Sequence, residues 1–166
     1  MGTIFPYTCL SNSNAEIDST APNTMQRMDR TEFIGYVRGH GDAVVSTIGP
    51  DGAPQAAYLS VAATDRGELV FDARPSSRKV SNIRRDSRVA VVIGGADGTT
   101  LQCEGEADLP EGEELERCAA AYVSAFPQFA DSLASGVVVI RVRLMWARYG
   151  DFRGRGAEMR DVDLGP

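Results

Sequence analysis

Apolar positions change period several times along this 166-residue chain, and each change marks an element. In MDRTEFIGYVRGHG, Phe33, Ile34 and Val37 form a helical stripe. Asp29 and Glu32 are spaced as a capping pair, and Gly39 and Gly41 can end the helix. From Ala43 the period falls to two. Val45 and Thr47 belong to a strand, Gly49-Pro50-Asp51-Gly52 is a turn, residues 53–63 return as a second strand, Asp65-Arg66-Gly67 turns again, and Glu68–Ala73 is a third strand. SSRKVSNIRRD then predicts a short helix with Ser76 or Ser77 as N-cap, Val80 and Ile83 on one face, and an end near Asp86.

VAVVIGG is a buried strand, GADG a hairpin turn, and TTLQCEGEAD the returning strand. PEGEELERCAAAYVSAF predicts a helix with Pro110 near its start and early glutamates that suit the helix dipole. Leu115, Cys118, Ala119, Tyr122 and Phe126 would face the core. GVVVIRVRLMWARYGDF alternates Val138, Ile140, Val142 and Leu144 against Val139, Arg141, Arg143 and Met145, as a long last strand. The fold class is therefore mainly β with flanking helices: six strands, mostly in antiparallel hairpins, with three helices between them. A closed or split barrel suits such a sheet because closure removes exposed edges. The organisation expected is a loose N-terminal tail at 1–27, one compact domain at 28–153, and a Gly- and charge-rich C-terminal tail at 154–166.

Composition narrows the function classes. No apolar run approaches the roughly 20 residues of a membrane helix, and the N-terminus lacks the pattern of a secretory signal, so a cytoplasmic protein without membrane partners is expected. Cys9, Cys103 and Cys118 are scattered, no CxxC pair exists, and His40 is the one histidine; this argues for reduced thiols and no metal site. His40, in GHG, reads as a loop or helix-end residue. The net charge of −6 argues against nucleic acid, and Arg84-Arg85 has no aromatic stacking platform beside it. Charge is unevenly spread, however. Arg66–Arg88 holds seven basic and three acidic residues, whereas Glu104–Glu116 holds seven carboxylates and no base. Glu104, Glu106 and Asp108 read as a solvated strand face, and Gly94–Gly98 as a hairpin, since no Lys-Ser/Thr follows it as in a phosphate loop.

The cationic segment carries the candidate chemistry. Lys79 is the only lysine; the other sixteen basic residues are arginine. A helix N-terminus presents unpaired N–H groups and partial positive charge. Two serine hydroxyls, Arg78 and Lys79 add donors and full charges, a combination suited to a terminal phosphate. No side-chain constellation marks a catalytic acid, base or nucleophile, so the catalytic residues stay unknown.

The order VVSTIGPDGAPQAAYLS, ELVFDARPSSRKVSNIRRDSRVAVVI, LQCEGEAD and a strand ending MWARYGDF resembles the pyridoxamine 5'-phosphate oxidase-like flavoproteins over roughly residues 28–153, most specifically over Phe71–Val92. The resemblance implies a six-stranded antiparallel split β-barrel of the FMN-binding type and a homodimer with flavin sites at the subunit interface. It implies that Ser77, Arg78 and Lys79 hold the FMN phosphate. The backbone of Tyr58, Leu59, Ser60 and Val61 and of Asp72 and Ala73 would lie along the rest of the flavin. The family's flavin-contacting glutamine falls nearest Thr100, with Gln102 on the same face, and Trp146 with Arg148 stands where the last strand meets the cofactor. For Trp146 a barrel-core role is the competing reading.

Departures bear on the substrate. The additional Arg and Lys that the oxidases carry on the second strand fall at Ala56 and Val61, and RYGDFRGRG replaces their Arg-Leu-His-Asp-Arg substrate motif. This argues against pyridoxamine phosphate as the substrate. The expectation is flavin-mediated redox of an unidentified small molecule, with a deazaflavin-dependent reductase or a non-enzymatic flavin binder as alternatives.

Overall fold

A computed structural model describes residues 27–131 and 135–165. The expected N-terminal tail, apart from Arg27, lies outside the described residues. The first helix, α1 (Arg30–His40), is set by the capping pair as expected: Asp29 Oδ1 accepts from Glu32 N at 2.8 Å, and Glu32 Oε2 accepts from Asp29 N at 2.9 Å. Gly41, at φ 74°, closes it in the left-handed conformation. Phe33 and Val37, four residues apart, are fully buried.

The strands are β1 (Asp42–Ile48), β2 (Pro54–Ser60), β3 (Ala62–Ala63), β4 (Leu69–Ala73), β5 (Arg88–Gly94), β6 (Thr99–Asp108), β7 (Val138–Asp151) and β8 (Glu158–Asp161). The helices α2 (Arg78–Arg85) and α3 (Gly112–Ala125) complete the regular elements that position the site. Strand order is β2-β1-β5-β6-β7-β4-β3, antiparallel throughout, with β8 added to β7. The two ends of this path, β2 and β3, are separated in sequence by Val61 alone. The sheet must therefore curl until its first and last strands meet, which makes the half-closed barrel.

Two of the eight strands differ from expectation. The segment expected as one strand, 53–63, breaks at Val61, whose N–H leaves the ladder to bond Gly41 O at 2.7 Å. The C-terminal stretch expected as a tail contains β8. Val162, 7% exposed, then closes on Met28, with Met28 N to Asp161 O at 3.0 Å and Asp163 N to Met28 O at 2.8 Å. The sheet thus extends past the expected boundary at residue 153, because ladder hydrogen bonds hold a sequence that lacks strand alternation.

Inside the curl lies the main core, built from Phe33, Val45, Phe71, Val80, Ile93, Leu101 and Ile140 among others. Burying Phe33 or Phe71 stabilises the fold by about 1.5–3 kcal/mol each. A second, smaller core forms where α3 covers the outer face of the β3–β4–β7 end: Ala62, Val70 and Val139 meet Cys118 and Tyr122. β4 is buried on both faces, which is why Leu69-Val70-Phe71 reads as a continuous apolar run. Leu115, expected inside, is 38% exposed, because α3 lies on one face of the sheet and buries a narrow stripe.

The acidic run at Glu104–Glu116 is only partly a solvated face. Glu104 and Glu106 are exposed. Asp108, however, accepts from Arg141 Nη2 at 2.8 Å and Arg143 Nη1 at 2.6 Å, and Glu114 accepts from Arg66 at 3.0 Å and Arg141 at 2.6 Å.

Candidate functional site

The buried strand β4 delivers the chain to a turn, with Ser77 N bonded to Arg74 O at 2.9 Å, and α2 starts there. Ser77 has the extended backbone of an N-cap, φ −72° and ψ 150°, yet its side chain makes no capping hydrogen bond. Its Oγ is buried and has no partner. A buried hydroxyl without a partner is costly and calls for a ligand or a water. Arg78 is exposed and Lys79 half-buried, and among the described residues neither forms an ion pair. The first turn holds no acid that would compete with an anion. Ser77, Arg78 and Lys79 line a pocket of about 170 Å³ whose far wall includes Thr47, Gln55 and Ala57.

Asn82, one turn further along α2, holds this end in place. It is 3% exposed, and its Nδ2 donates to Thr47 Oγ1 at 2.9 Å and to Gln55 Oε1 at 3.1 Å. Sequence reasoning missed it. The signal was a polar residue between Val80 and Ile83 on the buried side of an otherwise cationic helix.

The segment 58–61 lies at the split. Among the described strands β2 pairs with β1 alone, so its other edge has backbone groups free for a ligand. Tyr58 is 72% exposed, Ser60 Oγ donates to Asp42 at 3.3 Å, and Val61 is 1% exposed with its N–H already given to Gly41. Leu59 is half-buried against the core. On β4, the Asp72 carboxylate accepts from Tyr122 Oη at 3.0 Å. Burial, reinforced by Asp72, pushes the Tyr122 hydroxyl above its ordinary pKa, so it stays a donor. The Asp72 side chain is thus committed to α3, and with Ala73, 6% exposed, it offers a ligand backbone only.

The other four candidate residues lie elsewhere. Gln102 faces Arg148 across β6 and β7, and Thr100 faces Gly150. Between Gly105 and Glu104 the register shifts, because Leu144 and Trp146 pair with them and Met145 is left over. The bulge reverses the alternation of β7. Ile140 and Val142 point into the barrel before it and Ala147 after it, so Trp146 and Arg148 face outward. Trp146 is half-buried and outside both cores, which sets aside the barrel-core reading. Arg148 lies 5.4 Å from the Trp146 ring centroid and is paired with Asp161 of β8 at 2.8 Å. Thr100 Oγ1, like Ser77 Oγ, is buried without a partner.

Along the ladder β2 and β7 lie four strands apart, a path of about 19 Å at the usual spacing. A continuous cross-strand row joins them over the outer face: Tyr58, Val44, Val92, Gln102 and Arg148 are successive partners. Its apolar members are exposed, Tyr58 by 72%, Val44 by 40% and Val92 by 42%.

The sequence matches the family described as pyridoxamine 5'-phosphate oxidase over residues 32–149. The chain belongs to this family. Its members' split-barrel fold is the one described above. A conserved hypothetical protein of Mycobacterium tuberculosis is similar at 25% identity and TM-score 0.66, covering 81% of this chain and 91% of that one. A heme binding protein of Mycobacterium smegmatis aligns with TM-score 0.68 and 20% identity, over 82% of this chain and 59% of that one. A pyridoxamine 5'-phosphate oxidase-related, FMN-binding protein of Nostoc punctiforme aligns with TM-score 0.61 and 10% identity, over 78% and 85%. Among curated proteins, none matches the sequence. No helix among the described residues is long and apolar enough to cross a membrane.

Proposed function

We propose that this family member binds FMN, phosphate first, at the N-terminus of α2 and uses it in redox chemistry on a small molecule. The observation that carries this reading is the buried, unpartnered Ser77 Oγ between a free helix N-terminus and two cations with no ion-pair partner among the described residues. Ser77 and the first-turn amides would donate to phosphate oxygens, Arg78 would grip two of them, and Lys79 would supply a mobile charge. The backbone of Tyr58–Ser60, on the edge of β2, would hydrogen-bond the flavin. When bound, the flavin supplies hydride or electron transfer, and the chain supplies binding and orientation.

The same reading makes the protein a homodimer. A second copy laid on the exposed row of Tyr58, Val44 and Val92 would cover apolar surface that α3 leaves bare. It would also bring Thr100, Gln102, Trp146 and Arg148 of one subunit to the phosphate end of the other.

Haem receives less support. The sole histidine, His40, is stacked on Tyr36 at 4.0 Å, with Nδ1 2.9 Å from Tyr36 O and Nε2 3.4 Å from Asp97. The test is titration of the purified protein with FMN, followed by flavin fluorescence and absorbance, then stopped-flow reduction with NADH or NADPH. Saturable quenching with one flavin per chain is expected. No spectral change would sink the proposal, tighter binding of a deazaflavin would shift the cofactor, and binding without reduction by any donor would leave a flavin carrier.

A further inference from the structure

A chamber larger than the phosphate pocket lies beside α3. It measures about 790 Å³ and lies between the end of α1, the segment beginning at Val61, and α3. It grades from apolar to cationic. Val61, 1% exposed, and half-buried Phe126 form its inner part, and the small residues Ala121 and Ser124 of α3 leave the room open. Arg117, Arg38 and Arg66 follow, with side chains 25%, 50% and 63% exposed. Its volume fits a small organic ligand.

The arginines are not bare. Arg38 pairs with Asp65 at 2.6 Å, Arg66 with Glu114 at 3.0 Å, and Arg117 with Glu68 at 2.7 Å. Behind them Arg141 contacts Glu68, Asp108 and Glu114, and Arg143 contacts Asp108. Five arginines thus oppose four carboxylates, a balance that accommodates one negative charge and opposes two. Among the described residues Arg117 Nε is buried with no hydrogen-bond partner, and Arg38 Nη1 and Arg66 Nη2 are not engaged by any carboxylate. A planar carboxylate suits an arginine edge, and a flat apolar body suits Phe126 and the alanine face.

We infer that this chamber takes a small aromatic monocarboxylate, and that a phosphate monoester, doubly charged, is disfavoured there by Asp65, Glu68 and Glu114. The inference deepens the flavin reading and rests on it in one respect: the chamber reaches Val61, the residue after the Tyr58–Ser60 edge assigned to the flavin, and its ligand would be the flavin's reaction partner.

The probe is naphthalene-2-carboxylate, titrated by calorimetry against the full chain, wild type and variants, with and without FMN. One ligand per chain is expected, with affinity falling at least about tenfold in Ser124→Trp, which fills the chamber from an exposed helix position, and in Arg117→Met. 2-Naphthyl phosphate and naphthalene-2-carboxamide are expected to bind more weakly than the carboxylate. Unchanged affinity in Ser124→Trp, phosphate binding as tight as carboxylate, or no binding at all would overturn the inference. Ser124→Trp remains decisive even where Arg117→Met unfolds through loss of its ion pairs. FMN titration of the same samples reads the flavin assignment separately. FMN binding without carboxylate binding defeats the chamber assignment alone, and carboxylate binding without FMN binding defeats the flavin assignment and the ligand's role as its partner.

Discussion

Ser77, Arg78 and Lys79 stand within three consecutive positions, yet they owe their availability to different causes. Ser77 is freed because its hydroxyl makes no cap bond, whereas Arg78 and Lys79 are freed because no acid sits in the first turn of α2. An N-cap serine ordinarily contributes about 1 kcal/mol of stability. Here that contribution is absent, so Ser77→Ala should leave the melting temperature of the flavin-free protein unchanged or raised while weakening FMN. Arg78→Ala and Lys79→Ala should each weaken FMN by about 1.5–3 kcal/mol, the usual worth of a charged hydrogen bond. Fluorescence titration beside calorimetric melting separates the two effects; a lowered melting temperature without lost affinity would contradict the assignment. Sequence alone nominated this trio as candidates, since adjacent residues stay adjacent in any fold. It did not identify Asn82, whose partners Thr47 and Gln55 lie 35 and 27 residues away.

At the scale of elements, periodicity located α1, α2 and α3 and six of the strands, because each of those segments carries its own caps or alternation. It failed where pairing, not pattern, makes the strand: β3 after Val61, and β8. The bulge in β7 belongs to this scale as well. Gly105 stands against it so closely that a Cβ there would lie 2.3 Å from Arg143 O. Backbone atoms on both sides cannot move aside, so Gly105→Ala should destabilise the fold by about 2 kcal/mol or more. At this chain length about 2–4 °C of melting temperature is lost per kcal/mol. Because the bulge also turns Trp146 and Arg148 outward, the same variant should weaken FMN; a wild-type melting curve would show that the close contact is dispensable.

For the whole molecule, charge and association set the predictions. Burial opposes the charges on Glu68 and Asp108, but hydrogen bonds from Arg117 and Thr64, and from Arg141 and Arg143, hold both carboxyls below their usual values. The Arg117 guanidinium holds Glu114 down to about 2. Folded pKa values below the unfolded ones mean stability that is present above about pH 4.5 and lost as pH falls toward 2. Urea midpoints should therefore drop between pH 5 and pH 3, and less steeply in Glu68→Gln; a flat profile would contradict the network. Val92→Glu, placed on the exposed row, should convert the proposed dimer to monomer in sedimentation and weaken FMN together. A monomeric wild type would refute the shared site.

The sequence by itself determined the local chemistry of this protein: the capped helices, the alternating strands, and the serine-arginine-lysine helix start, all of which follow from neighbours within a few residues. Only the tertiary structure decided which charges are spent. Asp108, read from the sequence as solvated, and Glu114, read as a partner of the helix dipole, are bound by Arg141, and Arg148 is engaged by Asp161, whereas Arg78 and Lys79 keep no such partner among the described residues. It also decided where the remaining candidates stand: Thr100 and Gln102 on β6, and Trp146 and Arg148 on β7 beyond its bulge. Periodicity reports which face a residue occupies; the distance between faces depends on how far the sheet curls, and that is fixed by contacts between residues remote in sequence.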